Sequence, residues 1–161
     1  MFLPWVYGSM SPALDPRHRG ALLGISLSTS RADIARAMLE GISMQMRWLT
    51  DEVEDALGVP LETLRFVGGA AASDLWASIM ADVVGRPIEQ LENPRHANAR
   101  GAGLMAFVST GQLTIDDLPG LVPVRARYEP DPSTRPLWDE RLSVFRELHA
   151  VLADPVSRLH S

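Results

Sequence analysis

Apolar residues recur every three or four positions over a long segment that begins near Arg31, which predicts one face of a long helix. Ser30 is the expected N-cap, and Asp33, three residues later, completes a capping box. Gly58 and Pro60 are expected to end the helix. The predicted apolar stripe consists of Ile34, Met38, Ile42, Met46, Leu49, Val53 and Leu57.

Three further helices follow from the same periodicity. One begins after Ser73 and ends at Gly85, and it is expected to turn Leu75, Ile79 and Val83 inward. Another covers residues 97–109 and ends at Gly111, and its small residues are expected to allow close packing on a sheet. The last covers residues 136–152. The small residues of the helix at 97–109 are Ala99, Ala102, Gly103 and Ala106. The predicted apolar side of the last helix carries Trp138, Leu142, Phe145, His149 and Leu152.

Three short apolar runs outside these helices predict β-strands, at residues 21–28, 64–67 and 87–91. Pro87 cannot donate a ladder hydrogen bond, so the third strand is expected to be short or at a sheet edge. The proline-rich residues 119–136 are expected to cross the surface without regular structure. The alternation of strands and helices predicts an α/β fold, although three strands are few for a complete sheet.

Composition narrows the function classes. A length of 161 residues predicts a single domain, 1–161. A composition of 46% hydrophobic and 22% charged residues is typical of a globular protein. The chain has no cysteine, which excludes disulfide scaffolds, cysteine nucleophiles and thiolate metal sites and suits a cytoplasmic location. It also has no lysine, which excludes Schiff-base and P-loop lysine chemistry.

Charge and hydropathy exclude two further classes of partner. The net charge is −5, and the arginines are scattered among acidic residues, so no nucleic-acid surface is expected. No apolar run approaches the roughly 18 residues of a membrane span, and residues 1–5 do not resemble a signal peptide. The four histidines, His18, His96, His149 and His160, lack metal-ligand spacing, so no metal site is predicted.

The strongest local motif is the stretch of glycines and small residues at positions 67–73, between a predicted strand and a predicted helix. Gly68 and Gly69 would let a ligand approach the backbone closely, and the helix start offers free N–H groups to a phosphate or ribose. The motif is neither G-x-G-x-x-G nor a Walker A loop, and an ordinary tight turn would have the same pattern. From these residues alone, a nucleotide site and a structural turn remain equal alternatives.

Three widely spaced segments, at residues 2–20, 20–40 and 68–87, together resemble the FGGY carbohydrate kinases, most of all the xylulokinase-like branch. Residues 20–25 and 33–40 are similar to a signature of that family, and residues 2–20 are similar to the loop that precedes it. Residues 68–87 are similar to the family's adenosine-binding turn and helix, and residues 100–103 and 128–130 follow in the expected order. The resemblance extends over about residues 2–150.

The resemblance implies a ribonuclease H-like fold of the actin, hexokinase and Hsp70 type, here a C-terminal domain without its first strands. It implies ATP, with Mg²⁺ bound through the nucleotide, as cofactors of a kinase that phosphorylates a sugar hydroxyl. Gly69 and Ala70 match positions whose backbone meets the nucleotide, Ser73 matches a polar position near the purine, and Gly68 shapes the turn. The aspartate base of the family has no counterpart in the chain, so no catalytic residue is assigned. An N-terminal kinase domain is the implied partner, and a homodimer is a further expectation.

The chain departs from the family pattern at several positions. Ser9 and Met10 replace a usual Glu-Arg pair, which weakens the case for a pentulose substrate. Ala70 replaces a frequent third glycine, and Ala72 replaces a frequent lysine. A catalytically inactive truncated remnant or an interaction module remains the alternative function, and an unrelated small α/β nucleotide binder is a third.

Overall fold

The computed structural model describes residues 1–159, and they form two compact units. The first unit comprises Met1–Leu61, Asp82–Gly85 and the C-terminal residues from Asp131, and the second comprises Glu62–Ala81 and Arg86–Pro130. The strands are β1 (Phe2–Leu3), β2 (Ala21–Leu22), β3 (Leu64–Phe66), β4 (Ile88–Leu91) and β5 (Val124–Tyr128). The helices are α1 (Arg31–Leu57), α2 (Asp74–Val84), α3 (Ala97–Ser109) and α4 (Arg135–Ser157).

Helix α1 begins and ends as its sequence predicts. The Ser30 hydroxyl accepts from the Asp33 amide at 3.2 Å, and the Asp33 carboxylate accepts from the Ser30 amide at 2.9 Å. Gly58 ends the helix in the left-handed conformation with φ of 70°, which glycine adopts without strain. Strand β1 pairs antiparallel with β2, and both belong to the first unit with α1 and α4.

The apolar stripe predicted for α1 is not the face that the chain buries. Met38, Val53 and Leu57 are 42%, 37% and 59% exposed, whereas Met44 and Trp48 are buried. The reason is that β1 and α4 contact the other side of the helix. Three ion pairs join α1 to α4: Arg47 with Asp139, Glu40 with Arg141 at 3.1 Å, and Asp51 with Arg146 at 2.8 Å.

The second unit is built on a three-stranded sheet in the order β3-β4-β5. Strand β3 is parallel to β4, with Leu64 opposite Ile88, and β5 is antiparallel to β4, with Tyr128 opposite Ile88. The third predicted strand is therefore not at a sheet edge, but it is short, as expected, with four residues. Pro87 lies just before β4 and contributes only its carbonyl, which accepts from the Leu64 amide at 3.0 Å, so the proline does not interrupt the ladder.

Other sequence-based expectations also need correction. The predicted strand at residues 21–28 ends at Leu22, since Gly24 has φ of 74° and Thr29 closes a turn on Ser26. The predicted surface crossing contains β5, and α4 extends beyond residue 152 to Ser157. Leu75 is 61% exposed because it lies on the outer side of α2, whereas Ile79 and Val83 are buried.

Helix α3 has the predicted bounds but not the predicted packing. Among the residues that the structure describes, none covers its small-residue side: Ala99, Ala102, Gly103 and Ala106 are exposed. Met105 and Phe107 are also about half exposed. The small residues therefore form an accessible helix face within residues 1–159.

Candidate functional site

The segment that connects β3 to α2 contains the glycines that the sequence singled out. Strand β3 ends at Phe66, and Gly68 follows with φ of 91°, a conformation that favours glycine. The Gly68 amide donates to the Pro94 carbonyl at 2.8 Å, which ties the turn to the segment that follows β4. Residues Ala70–Ala72 then form one turn of 3-10 helix before α2 begins at Asp74.

Gly69 differs from Gly68 because its own conformation does not require a glycine. Its φ of −64° and ψ of −39° are open to any residue, and the residue is exposed. A Cβ atom built on Gly69 meets no heavy atom of the described residues within 4 Å. The fold thus leaves an accessible backbone surface at Gly69, and nothing in the described residues requires a glycine there.

Ser73 and Ala70 complete the set of predicted site residues. The Ser73 hydroxyl accepts from the Trp76 amide at 3.2 Å and so caps α2, as expected from the sequence. The Ser73 amide donates to the Ala70 carbonyl at 3.1 Å. Gly68, Gly69, Ala70 and Ser73 therefore lie in one short turn at the start of a helix, and their contact with a nucleotide stays a prediction.

The sequence did not predict a polar network that joins β4 to this turn and to the start of α2. Gln90 in β4 is fully buried, and its amide nitrogen donates to the Ala71 carbonyl at 2.7 Å and to the Asp74 carboxylate at 3.1 Å. Arg125 donates to the same carboxylate at 3.1 Å. The hydrogen bond from Gln90 and the charge of Arg125 lower the pKa of Asp74. Burial raises the pKa of Tyr128, whose hydroxyl lies 3.4 Å from the Gln90 carbonyl oxygen.

Two of the four histidines belong to the core of the first unit. The His18 ring is buried, and its centroid lies 4.1 Å from that of His149 and 4.8 Å from that of Trp5. Burial lowers the pKa of both histidines. His96 is exposed, and His160 lies outside the described residues. Within residues 1–159, no three His, Cys, Asp or Glu side chains come together as a metal site.

None of the helices in the described part of the chain is both long and apolar enough to cross a bilayer.

Comparison with known proteins identifies the family. Residues 1–110 match the profile described as "FGGY family of carbohydrate kinases, C-terminal domain". Glycerol kinase from Thermus brockianus is 37% identical over 131 residues, which are 80% of this chain and 26% of that protein. Glycerol kinase from Koribacter versatilis is 32% identical over 148 residues, covering 88% of this chain and 30% of that protein.

Solved structures show the same relationship. Xylulose kinase from Rhodospirillum rubrum superimposes with a TM-score of 0.76 at 32% identity, covering 96% of this chain and 31% of that one. Xylulose kinase from Lactobacillus acidophilus reaches a TM-score of 0.85 at 20% identity, covering 99% and 32%. The chain thus spans between a quarter and a third of the length of these relatives.

These matches confirm the resemblance to the family and the ribonuclease H-type fold that it implied. They do not single out the xylulokinase-like branch, because relatives with over 30% identity include glycerol kinases as well as a xylulose kinase. The chain belongs to the FGGY family of carbohydrate kinases and matches the C-terminal domain of that family.

Proposed function

We propose that this chain is the ATP-binding, C-terminal portion of a carbohydrate kinase that transfers the γ-phosphoryl group of ATP to a hydroxyl of its substrate. The observation that carries the proposal is Gly69. It is an exposed glycine with ordinary dihedral angles at the start of a helix, in a chain of the FGGY family. A side chain there would occupy ligand space without disturbing the fold.

In this proposal the chain contributes binding and orientation. The nucleotide lies against the backbone of Gly69 and Ala70, with Ser73 near the purine. ATP supplies the phosphoryl group, and Mg²⁺ reaches the site through the nucleotide phosphates. Phosphoryl transfer depends mainly on positioning and charge stabilisation, so a correctly placed nucleotide is the main contribution of this portion. An N-terminal kinase domain supplies the aspartate base and most of the substrate pocket, and the complete enzyme is cytoplasmic.

The substrate class includes two candidates supported by the relatives. Glycerol is favoured by the glycerol kinases at 37% and 32% identity, and xylulose by the Rhodospirillum rubrum structure at 32% identity. Ser9 and Met10, which replace the Glu-Arg pair usual in xylulokinase-like proteins, weaken the case for a pentulose. Assays of the complete kinase should therefore include both compounds.

The test is Gly69→Val in the complete kinase. We expect the ATP KM to rise at least about tenfold, equivalent to about 1.4 kcal/mol, because the valine side chain fills the space of the nucleotide. Thermal stability should change little, since a Cβ at Gly69 meets open space within the described residues.

Gly120→Val is the matched control. Gly120 is also exposed, its Cβ direction is open over the described residues, and it lies in the short helix Ile115–Leu121, outside the turn. ATP binding by the control should match that of the parent. If Gly69→Val folds and has the parent's ATP KM, the nucleotide-site assignment is wrong. A complete protein without any substrate-dependent use of ATP would favour the inactive remnant instead.

A further inference from the structure

Gln90 is an unusual residue for the centre of a sheet. It lies in β4, the middle strand of three, and its side chain is completely buried. Burial of an amide is unfavourable unless its donors and acceptor are paired, so a glutamine at this position requires specific partners.

The partners of Gln90 come from three different segments of the second unit. Its Nε2 donates to the Ala71 carbonyl at 2.7 Å and to Oδ1 of Asp74 at 3.1 Å. Its Oε1 accepts from the Tyr128 hydroxyl at 3.4 Å, on β5. Both amide hydrogens are therefore directed at the turn, and the two nitrogen contacts are shorter than the oxygen contact.

The two acceptors of Gln90 lie on either side of Ser73. Ala71 is the middle residue of the 3-10 turn and is fully buried, and Asp74 is the first residue of α2. Arg125 pairs with the Asp74 carboxylate at 3.1 Å, which fixes the second acceptor from β5. The exposed Gly69 is two residues from the Ala71 carbonyl, so the position of that carbonyl sets where the Gly69 backbone lies.

We propose that Gln90 is the positioning residue of the nucleotide-binding turn: its side-chain amide holds the Ala71 carbonyl and the start of α2, and so orients Gly69 and Ser73 toward ATP. This inference rests on the proposed function, because it needs the turn to bind a nucleotide. Gln90 itself does not touch the ligand. Its contribution is a preorganised turn, which would otherwise be ordered at the expense of binding free energy.

The test is Gln90→Met, which keeps a similar side-chain volume and removes both amide donors. In the complete kinase we expect the ATP KM to rise about tenfold or more while kcat changes less than about threefold. In hydrogen exchange, the amides of Ala72 and Ser73, which bond to the Gly69 and Ala70 carbonyls at 3.2 and 3.1 Å, should lose protection. Protection in α1 should stay as in the parent.

Tyr128→Phe is the matched control. It removes the 3.4 Å contact to Oε1 of Gln90 and the hydrogen bond between Tyr128 and the Asp74 carboxylate, and it leaves both Nε2 contacts in place. Its ATP KM should remain within about twofold of the parent, since the turn keeps its two hydrogen bonds. If Gln90→Met does not fold, Gln90→Asn tests the same contact with a shorter amide that no longer reaches Ala71, and the same KM rise is expected.

The outcomes separate this inference from the proposed function. If Gly69→Val raises the ATP KM and the folded Gln90 variant does not, Gln90 has only a structural role and the inference is wrong, while the nucleotide site stands. If the Gln90 variant loses thermal stability with an unchanged ATP KM, the inference is wrong for the same reason. If neither Gly69→Val nor the Gln90 variant alters the ATP KM, both proposals are wrong.

Discussion

The substitution Gly41→Ala tests how closely β1 approaches α1. Gly41 is buried in the middle of α1, and the backbone of Phe2 in β1 passes directly over it. A Cβ atom on Gly41 would overlap the Phe2 carbonyl oxygen and lie 3.0 Å from its carbonyl carbon and 3.2 Å from Phe2 Cβ. Two of these three neighbours are backbone atoms, so they cannot move aside as the end of a side chain would.

The magnitude follows from two opposing contributions to the free energy of unfolding. Alanine is favoured over glycine inside a helix by about 0.5–1 kcal/mol. Overpacking against a neighbour that must shift costs about 1–3 kcal/mol. The clash is the larger contribution, so we expect a net destabilisation of about 1 kcal/mol. For a chain of this length, that lowers the thermal midpoint by about 2–4 °C.

Thermal unfolding of Gly41→Ala and Gly101→Ala, compared with the parent, provides the assay. Gly101 lies in α3, and no heavy atom of the described residues is within 4 Å of its Cβ position. Gly101→Ala should therefore stabilise the chain through the higher helix propensity of alanine and raise the thermal midpoint. The same substitution in two helices should then have opposite signs. Equal stabilisation by both would refute the contact between β1 and α1.

Three other predictions concern the chain by itself. Stability should fall as the pH is lowered from 7.5 to 5.5, by at most about 1.4 kcal/mol per pH unit for each histidine. Burial lowers the pKa of His18 and His149 in the folded chain, so the unfolded chain takes up more protons over this range. Denaturant titrations at both pH values test this, His149→Gln should reduce the dependence, and a flat profile would contradict it. The 161-residue chain should release no ADP with glycerol or xylulose, because general-base catalysis is worth about 10²–10⁴-fold and the proposed function assigns the aspartate base to another domain. Turnover by the pure chain would contradict that proposal. The chain should bind a hydrophobic dye and associate, because it exposes the apolar side chains of Met38, Leu57, Met105 and Phe107. A monodisperse monomer without a dye signal would argue against accessible apolar faces.

Helix limits could be predicted because their signals are local. The capping box of Ser30 and Asp33, and the serine that caps α2, act within four residues of the chain. The choice of buried face could not be predicted in the same way. Met38 and Met44 are both apolar residues of α1, and only the position of β1 and α4 decides that Met44 is the buried one.

Strand β5 and the Gln90 network depend on partners distant in sequence. Val124–Tyr128 contains two arginines and follows several prolines, so its composition indicates a surface loop, and it becomes a strand only through pairing with β4. Arg127 in this strand contacts Glu89 at 3.2 Å and Glu129 at 2.6 Å, so its side chain pairs with residues outside the strand. For the candidate site, the glycine motif identified the turn, but nothing local indicated that Gln90, 19 residues after Ala71, supports it.

The three ion pairs between α1 and α4 have a consequence for motion. Glu40, Arg47 and Asp51 cover about three turns of α1, and each has its partner on α4. Sliding one helix along the other by a single turn, about 5.4 Å, would separate all three pairs at once and leave the buried Arg47 guanidinium without its carboxylate. Such a shift would cost mainly the pair of the buried Arg47, so we expect α1 and α4 to move as one block.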